Sequence, residues 1–135
     1  MKVVLDHVGI AIGDLSDALA FYSEKLGLKV DSSEEVSSQG VRVHFLGVGS
    51  SSLELIEAMS KNSSIGRYVE RKGPGLHHIC FRVDDIQSVL DMLSQRGVRL
   101  IDTKPRLGAE GALVAFVHPS SVHGVLVELK QERGE

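Results

Sequence analysis

Laid on itself with an offset of 71 residues, the chain repeats: His7 falls on His78, Asp14 on Asp85, Gly40 on Gly111 and Phe45 on Phe116. Conservative matches fill the intervals, with Val8 on Ile79, Ile12 on Val83, Leu15 on Ile86, Leu19 on Leu90 and Val43 on Val114. Gly27 meets Gly97 at an offset of 70, and Leu53-Glu54-Leu55 meets Val127-Glu128-Leu129 at 74. Slips of that size are what loop-length changes between strands produce. Matches in one order through a whole half indicate a duplicated supersecondary unit. A half of about 60 residues buries too little surface to be stable alone. The two copies are therefore expected to share one domain over residues 1–135, with modules at about 3–58 and 76–130 and a linker at about 59–75.

Both copies carry the same order of elements. Val3 to Ile12 is rich in β-branched residues and reads as a strand. Asp14 is placed to cap a helix with apolar residues at Leu15, Ala18, Leu19, Tyr22 and Leu26, stopped by Gly27. Strands are expected at Lys29 to Val36, Val41 to Val48 and Ser52 to Glu57. In the second copy, Leu76 to Val83 is a strand, and Asp84 or Asp85 caps a helix with the stripe Ile86, Val89, Leu90 and Leu93. Strands at Val98 to Ile101, Ala112 to Val117 and Gly124 to Lys130 follow. Ser63 to Lys72 reads as a linking helix, broken by Gly73-Pro74-Gly75. The expected fold class is α+β, one domain of duplicated βαβββ modules forming curved mixed sheets.

Composition excludes several functions. A hydrophobic fraction of 42% is too high for a disordered chain. A net charge of −3 with mixed signs, and aromatics at only 4%, leave neither the basic stripe nor the stacking platform that nucleic-acid binding needs. No apolar run approaches the roughly 20 residues of a membrane span, so no membrane association is expected. No export leader precedes Val3, and the single cysteine, Cys80, has no internal partner, which together lead us to expect a cytoplasmic protein.

Four titratable side chains interrupt strands that are otherwise apolar: His7, Glu54, His78 and Glu128. Neighbours in a strand point to opposite faces. If Leu53 and Leu55 face the outer core, Glu54 faces the other way, and Val127 and Leu129 place Glu128 likewise. A carboxylate on an enclosed sheet face is costly unless paired. Two carboxylates and two neutral imidazoles at repeat-equivalent positions form a cage for a divalent cation, whose charge balances the glutamates. His77 is out of phase with His78 and is expected to point away. His44 matches Ala115 in the repeat, which argues against a ligand role. His118 and His123 bracket a loop at the surface, and Cys80 shares the parity of His78 but is expected to be an inert thiol.

These residues resemble the vicinal oxygen chelate superfamily, and within it the methylmalonyl-CoA epimerases. The resemblance rests on Asp6-His7-Val8-Gly9-Ile10-Ala11, Gln39-Gly40-Val41-Arg42-Val43, Gly75-Leu76-His77-His78-Ile79, Val83-Asp84-Asp85-Ile86 and Gly97-Val98-Arg99-Leu100-Ile101-Asp102. It extends through the loop Lys104-Pro105-Arg106-Leu107-Gly108 and the segment Gly124-Val125-Leu126-Val127-Glu128-Leu129. It implies metal ligation by His7, Glu54, His78 and Glu128, with Glu54 standing where some members have glutamine. It also implies one divalent ion per chain (cobalt foremost, with zinc, nickel, manganese or iron as alternatives), an acyl-CoA substrate and a homodimer. Some bacterial members carry a glutamate, proposed as a catalytic base, at the position of Val43. That base is absent here.

The chemistry so implied is isomerisation of methylmalonyl-CoA between its (R) and (S) forms, through removal and return of the α-proton. With Val43 apolar, Glu54 and Glu128 are the expected acid/base pair as well as ligands. Arg106, Lys104 and Arg42 offer partners for CoA phosphates or the substrate carboxylate, although Lys104 and Arg42 read better as solvated charges. A glyoxalase-type lactoylglutathione lyase is the alternative enzyme, and a metal-free small-molecule-binding module of the same fold is the alternative outside enzymes. An extradiol dioxygenase fits less well, because a fourth protein ligand obstructs the open positions that dioxygen needs.

Overall fold

In the computed structural model, which describes residues 1–134, the chain is α+β and divides into two compact units. One consists of Val8–His77, the other of Met1–His7 together with the chain from His78 onward. Among the described residues eight strands form: β1 (Val3–Ile12), β2 (Val30–Val36), β3 (Val41–Val48), β4 (Ser51–Ala58), β5 (Gly75–Val83), β6 (Arg106–Leu107), β7 (Leu113–Val117) and β8 (Leu126–Gln131). The helices are α1 (Leu15–Leu19), α2 (Ser64–Lys72) and α3 (Ile86–Gln95).

In the unit Val8–His77 the strand order is β2-β3-β4-β1. β3 pairs antiparallel with β4, which sets Phe45 opposite Glu54 and His44 opposite Leu55. Asp14 caps α1 by accepting from the Asp17 N–H at 3.2 Å, and α1 widens into a π-helical stretch, Ala20–Lys25. That helical face covers Ile12, Leu46 and Leu55, with Leu15, Ala18, Leu19, Tyr22 and Leu53 packed around them. The linking helix α2 starts at Ser63, whose hydroxyl accepts from the Gly66 N–H at 3.0 Å. It stops at Gly73, which has the left-handed φ of +78°.

In the other unit the order is β1-β5-β8-β7-β6. β5 and β8 are parallel, with Cys80 opposite Glu128 and Arg82 opposite Lys130, whereas β7 is antiparallel to both β8 and β6. The sheet is therefore mixed. Asp85 provides the α3 cap, accepting from the Ser88 N–H at 3.1 Å. Ile86, Val89 and Leu90 bury the helix against Val83, Ala115, Val117 and Leu129. Alternation along β8 thus sends Leu129 to the helix side and leaves Glu128 on the other.

One expected strand fails to form. Val98 to Ile101 makes a single bridge, Leu100 to Val117. The Val98 N–H is taken by the Leu93 carbonyl, closing the end of α3, while Ile101 and Asp102 both donate to the Phe116 carbonyl. The Phe116 N–H in turn donates to the Asp102 carboxylate at 2.9 Å. A side chain has taken the place of a ladder partner, and the paired edge moves downstream to β6.

Candidate active site

β1 and β5 each contribute one histidine to a buried cluster, and β8 contributes a glutamate. His7 is 3% exposed, His78 5% and Glu128 7%. His7 Nε2 lies 3.0 Å from His78 Nε2 and 3.1 Å from Glu128 Oε1, and His78 Nε2 lies 3.0 Å from the same oxygen. Three potential ligand atoms thus form a nearly equilateral triangle. Ligands in adjacent positions around an ion with bonds of about 2.1 Å are separated by roughly 3.0–3.4 Å, so this donor set fits a divalent cation. Two imidazoles and one carboxylate suit zinc, iron, cobalt, nickel or manganese alike.

The electrostatics follow from burial. Desolvation raises the Glu128 carboxyl, but hydrogen bonds from His7 and His78, reinforced by their charge, outweigh it and hold the group well below the usual range. Glu128 is an ionised acceptor. Burial pushes the Cys80 thiol up to about 12, with the His7 hydrogen bond opposing and the Glu128 charge adding. Although its sulfur clusters with Asp6 and His7, Cys80 remains a protonated thiol and a poor ligand at neutral pH.

Behind the triangle, His7 Nδ1 lies 2.7 Å from Asp6 Oδ2. Lys130 Nζ reaches the same oxygen at 3.2 Å, and Arg82 Nη1 reaches Oδ1 at 3.2 Å while also pairing with Glu132 at 3.1 Å. Burial raises the Asp6 carboxyl, and the bonds and charges of His7 and Lys130 bring it below its ordinary value. Sequence reading passed over Asp6, since simple alternation sends it away from the face of His7. The available signal was a charged residue, Lys130, two places beyond Glu128 in a strand, where it is only 9% exposed.

The Phe116 ring stands edge-on to His78 with centroids 6.2 Å apart, and β7 places Phe116 opposite Glu128. The Arg106 guanidinium lies over the same ring at 5.4 Å and 3.6 Å from Asp102. Arg106 therefore presents a cation beside the triangle.

Glu54 is 6% exposed on β4, on the sheet face opposite Leu53 and Leu55. Val43, at the position discussed above, is 5% exposed. His44 is buried between Ser33 Oγ (2.7 Å from Nδ1) and Glu57 Oε1 (3.0 Å from Nε2), and Arg42 pairs with Glu35 at 2.7 Å. The His77 ring packs edge-on against Tyr68. His118 accepts from the Ser120 N–H and caps the turn that follows, and His123 lies exposed with a left-handed φ of +63°.

Residues 6–116 match the Glyoxalase/Bleomycin resistance protein/Dioxygenase superfamily, and the chain belongs to that family. Within the superfamily it groups with the methylmalonyl-CoA epimerases, which are isomerases. The human mitochondrial methylmalonyl-CoA epimerase is 38% identical, over 94% of this chain and 73% of its own length. A solved methylmalonyl-CoA epimerase in complex with methylmalonyl-CoA and NH4+ superposes with a TM-score of 0.92 at 34% identity, covering 99% of this chain and 97% of that one. The protein YqjC of Bacillus subtilis (strain 168), itself uncharacterized, is 44% identical over 97% of this chain and 94% of its own. No helix among the described residues is long and apolar enough to cross a membrane.

Proposed function

We propose that the protein is a metal-dependent epimerase that interconverts the (R) and (S) forms of methylmalonyl-CoA. The observation that carries this reading is the buried triangle of His7, His78 and Glu128. It occurs in a chain whose relatives are named for that reaction over nearly its whole length. The two imidazoles and Glu128 would hold one divalent ion per chain, cobalt foremost. An ion held there supplies Lewis acidity toward the thioester oxygen, which lowers the cost of the charge that develops when the α-proton leaves.

The rest of the chemistry belongs to the chain. Glu128, ionised at neutral pH, can accept a proton, and its burial beside Phe116 keeps bulk water from competing. Arg106, exposed on one side and stacked on Phe116, is placed to receive an anionic group of the acyl-CoA. Inversion requires that the proton return to the opposite face of the planar intermediate. The repeat makes Glu54 the counterpart of Glu128, and on that ground Glu54 is the second acid/base residue and the fourth ligand. The same reading takes residues 1–135 as one domain built from both modules, and the working species as a homodimer of the 14.6 kDa chain in the cytoplasm. Light scattering after gel filtration checks the dimer.

The test is α-proton exchange into methylmalonyl-CoA in deuterated water, followed by mass spectrometry, on metal-loaded and chelator-treated protein. Loaded protein exchanges and inverts the substrate, and chelation abolishes both. Glu54→Gln and Glu128→Gln each lose exchange. Full exchange by Glu54→Gln with metal bound overturns the base role of Glu54. Turnover of a glutathione hemithioacetal in place of methylmalonyl-CoA makes the protein a glyoxalase-type lyase. Tight ligand binding with no metal present makes it a sequestering module.

A further inference from the structure

The carboxylate of Asp6 is more firmly anchored than a residue of a strand surface requires. Both of its oxygens are engaged: Oδ2 by His7 Nδ1 and Lys130 Nζ, Oδ1 by Arg82. Its side chain is 9% exposed and that of Lys130 11%. Arg82 and Lys130 are direct neighbours in the parallel β5–β8 register, and the Asp6 carboxylate between them offsets the repulsion of the two cations. An ionised carboxylate can only accept, so the proton on the His7–Asp6 bond belongs to Nδ1 of the imidazole. The opposite nitrogen, Nε2, is the one that faces His78 and Glu128.

We propose that Asp6 is a positioning residue: by accepting from His7 Nδ1–H, it fixes the ring orientation and tautomer that present the Nε2 lone pair to a divalent cation in the triangle of His7, His78 and Glu128. Lys130 and Arg82 hold Asp6 in that orientation. Outer carboxylates of this kind make the imidazole a stronger donor, and losing them weakens metal binding by about 10- to 100-fold. This inference rests on the metal-site reading above, and its test separates the two.

Divalent zinc is titrated into chelator-stripped protein against a chromophoric competitor for wild type, Asp6→Asn, Asp6→Ala and Lys130→Met. In parallel, 15N–1H correlation spectra of labelled imidazoles report which nitrogen of His7 is protonated. Wild type carries a proton on His7 Nδ1 with and without zinc, and zinc displaces only the Nε2 proton that faces Glu128. Asp6→Ala frees the tautomer and weakens zinc binding about 10- to 100-fold. Asp6→Asn keeps an acceptor oxygen without the charge and falls between. Lys130→Met breaks the ion pair but leaves the His7–Asp6 bond, so it lowers thermal stability yet costs less affinity than Asp6→Asn. A purely structural role for Asp6 predicts losses of affinity that track stability in all three variants, and that result overturns the proposal. So does Asp6→Ala with wild-type affinity and an unchanged His7 tautomer. Should wild type itself bind no divalent ion, the metal reading falls, and this inference with it.

Discussion

Replacing Glu128 by Gln keeps the shape of the side chain and removes its charge, so ligation can be read apart from packing. The carboxylate accepts from two imidazoles at 3.0 and 3.1 Å. Gln retains one acceptor, and the loss is on the order of one charge-assisted hydrogen bond, about 1.5–3 kcal/mol. The cation adds a separate effect. An ion at 1,000 times its Kd stabilises the fold by about 4.1 kcal/mol. If losing the only carboxylate of the triangle weakens binding about 100-fold, as loss of an outer partner alone can do, the same ion concentration gives about 1.4 kcal/mol. Unfolding entropy of about 2.1 cal/mol/K per residue, over 135 residues, converts 1 kcal/mol into roughly 3.5 °C. The cation-induced rise in Tm therefore falls from roughly 14 °C in wild type to roughly 5 °C in Glu128→Gln. Differential scanning calorimetry with and without metal measures both rises, each against its own metal-free baseline. Equal rises in the two proteins refute the ligand role of Glu128.

Acid should erase part of the metal-free difference between these two proteins. The carboxyl of Glu128 lies below its ordinary 4.5 in the fold, so its contribution is present above that pH and is lost as pH falls through the lower folded value. Urea midpoints of wild type and Glu128→Gln converge below about pH 4, and a constant gap contradicts the assignment. Leu90→Ala empties a site with 0% exposure beneath α3 and costs about 3–4 kcal/mol, roughly 10–14 °C, with little change in urea m-value. Gly66→Ala, within α2, should reverse the usual helix preference. Its Cβ would lie 2.9 Å from the Lys61 carbonyl and nearer still to that of Ser60, so a stability loss of about 2 kcal/mol replaces the gain of about 1 kcal/mol normal for this exchange. Cys80, fully buried and with its thiol pushed up to about 12, stays unlabelled by a thiol reagent in the native protein at pH 8 and reacts once in urea.

What could be read in the sequence was whatever periodicity encodes. Strand β1 runs from Val3 to Ile12 and β3 from Val41 to Val48, as their apolar patterns imply. The cap at Asp14, the linking helix that follows Ser63 and the stripe of α3 were equally legible, because each is a local physical requirement. Val98 to Ile101 misled for a related reason. Its residues suit a strand, but a competing acceptor on Asp102 takes the Phe116 N–H that a ladder needs. The π-helical turn after α1 has no signature in the apolar spacing, since Leu15, Leu19, Tyr22 and Leu26 satisfy either geometry. At the site, alternation and the repeat pointed to four strand residues, of which His7, His78 and Glu128 lie 3.0–3.1 Å apart. They missed Asp6, whose role depends on the long reach of Lys130 and Arg82 rather than on any pattern along β1.

The repeat in the sequence accounts for the positions of His7 and His78 better than for their surroundings. An offset of 71 maps His7 onto His78, but it maps Asp6 onto His77, not onto an acid. His77 cannot act as an ionised acceptor, and its ring instead stands against Tyr68 at 4.8 Å. Phe116, the repeat partner of Phe45, takes the flank of His78 with an aromatic edge. Two imidazoles at equivalent places in a doubled chain have thus acquired different surroundings, one bonded to a carboxylate that two cations hold, the other set beside an apolar wall that also carries Arg106. For the proposed reaction, which handles an anionic thioester, that division is useful: the charge-backed side would anchor the ligands of a cation, and the aromatic side, with Arg106, would face the substrate.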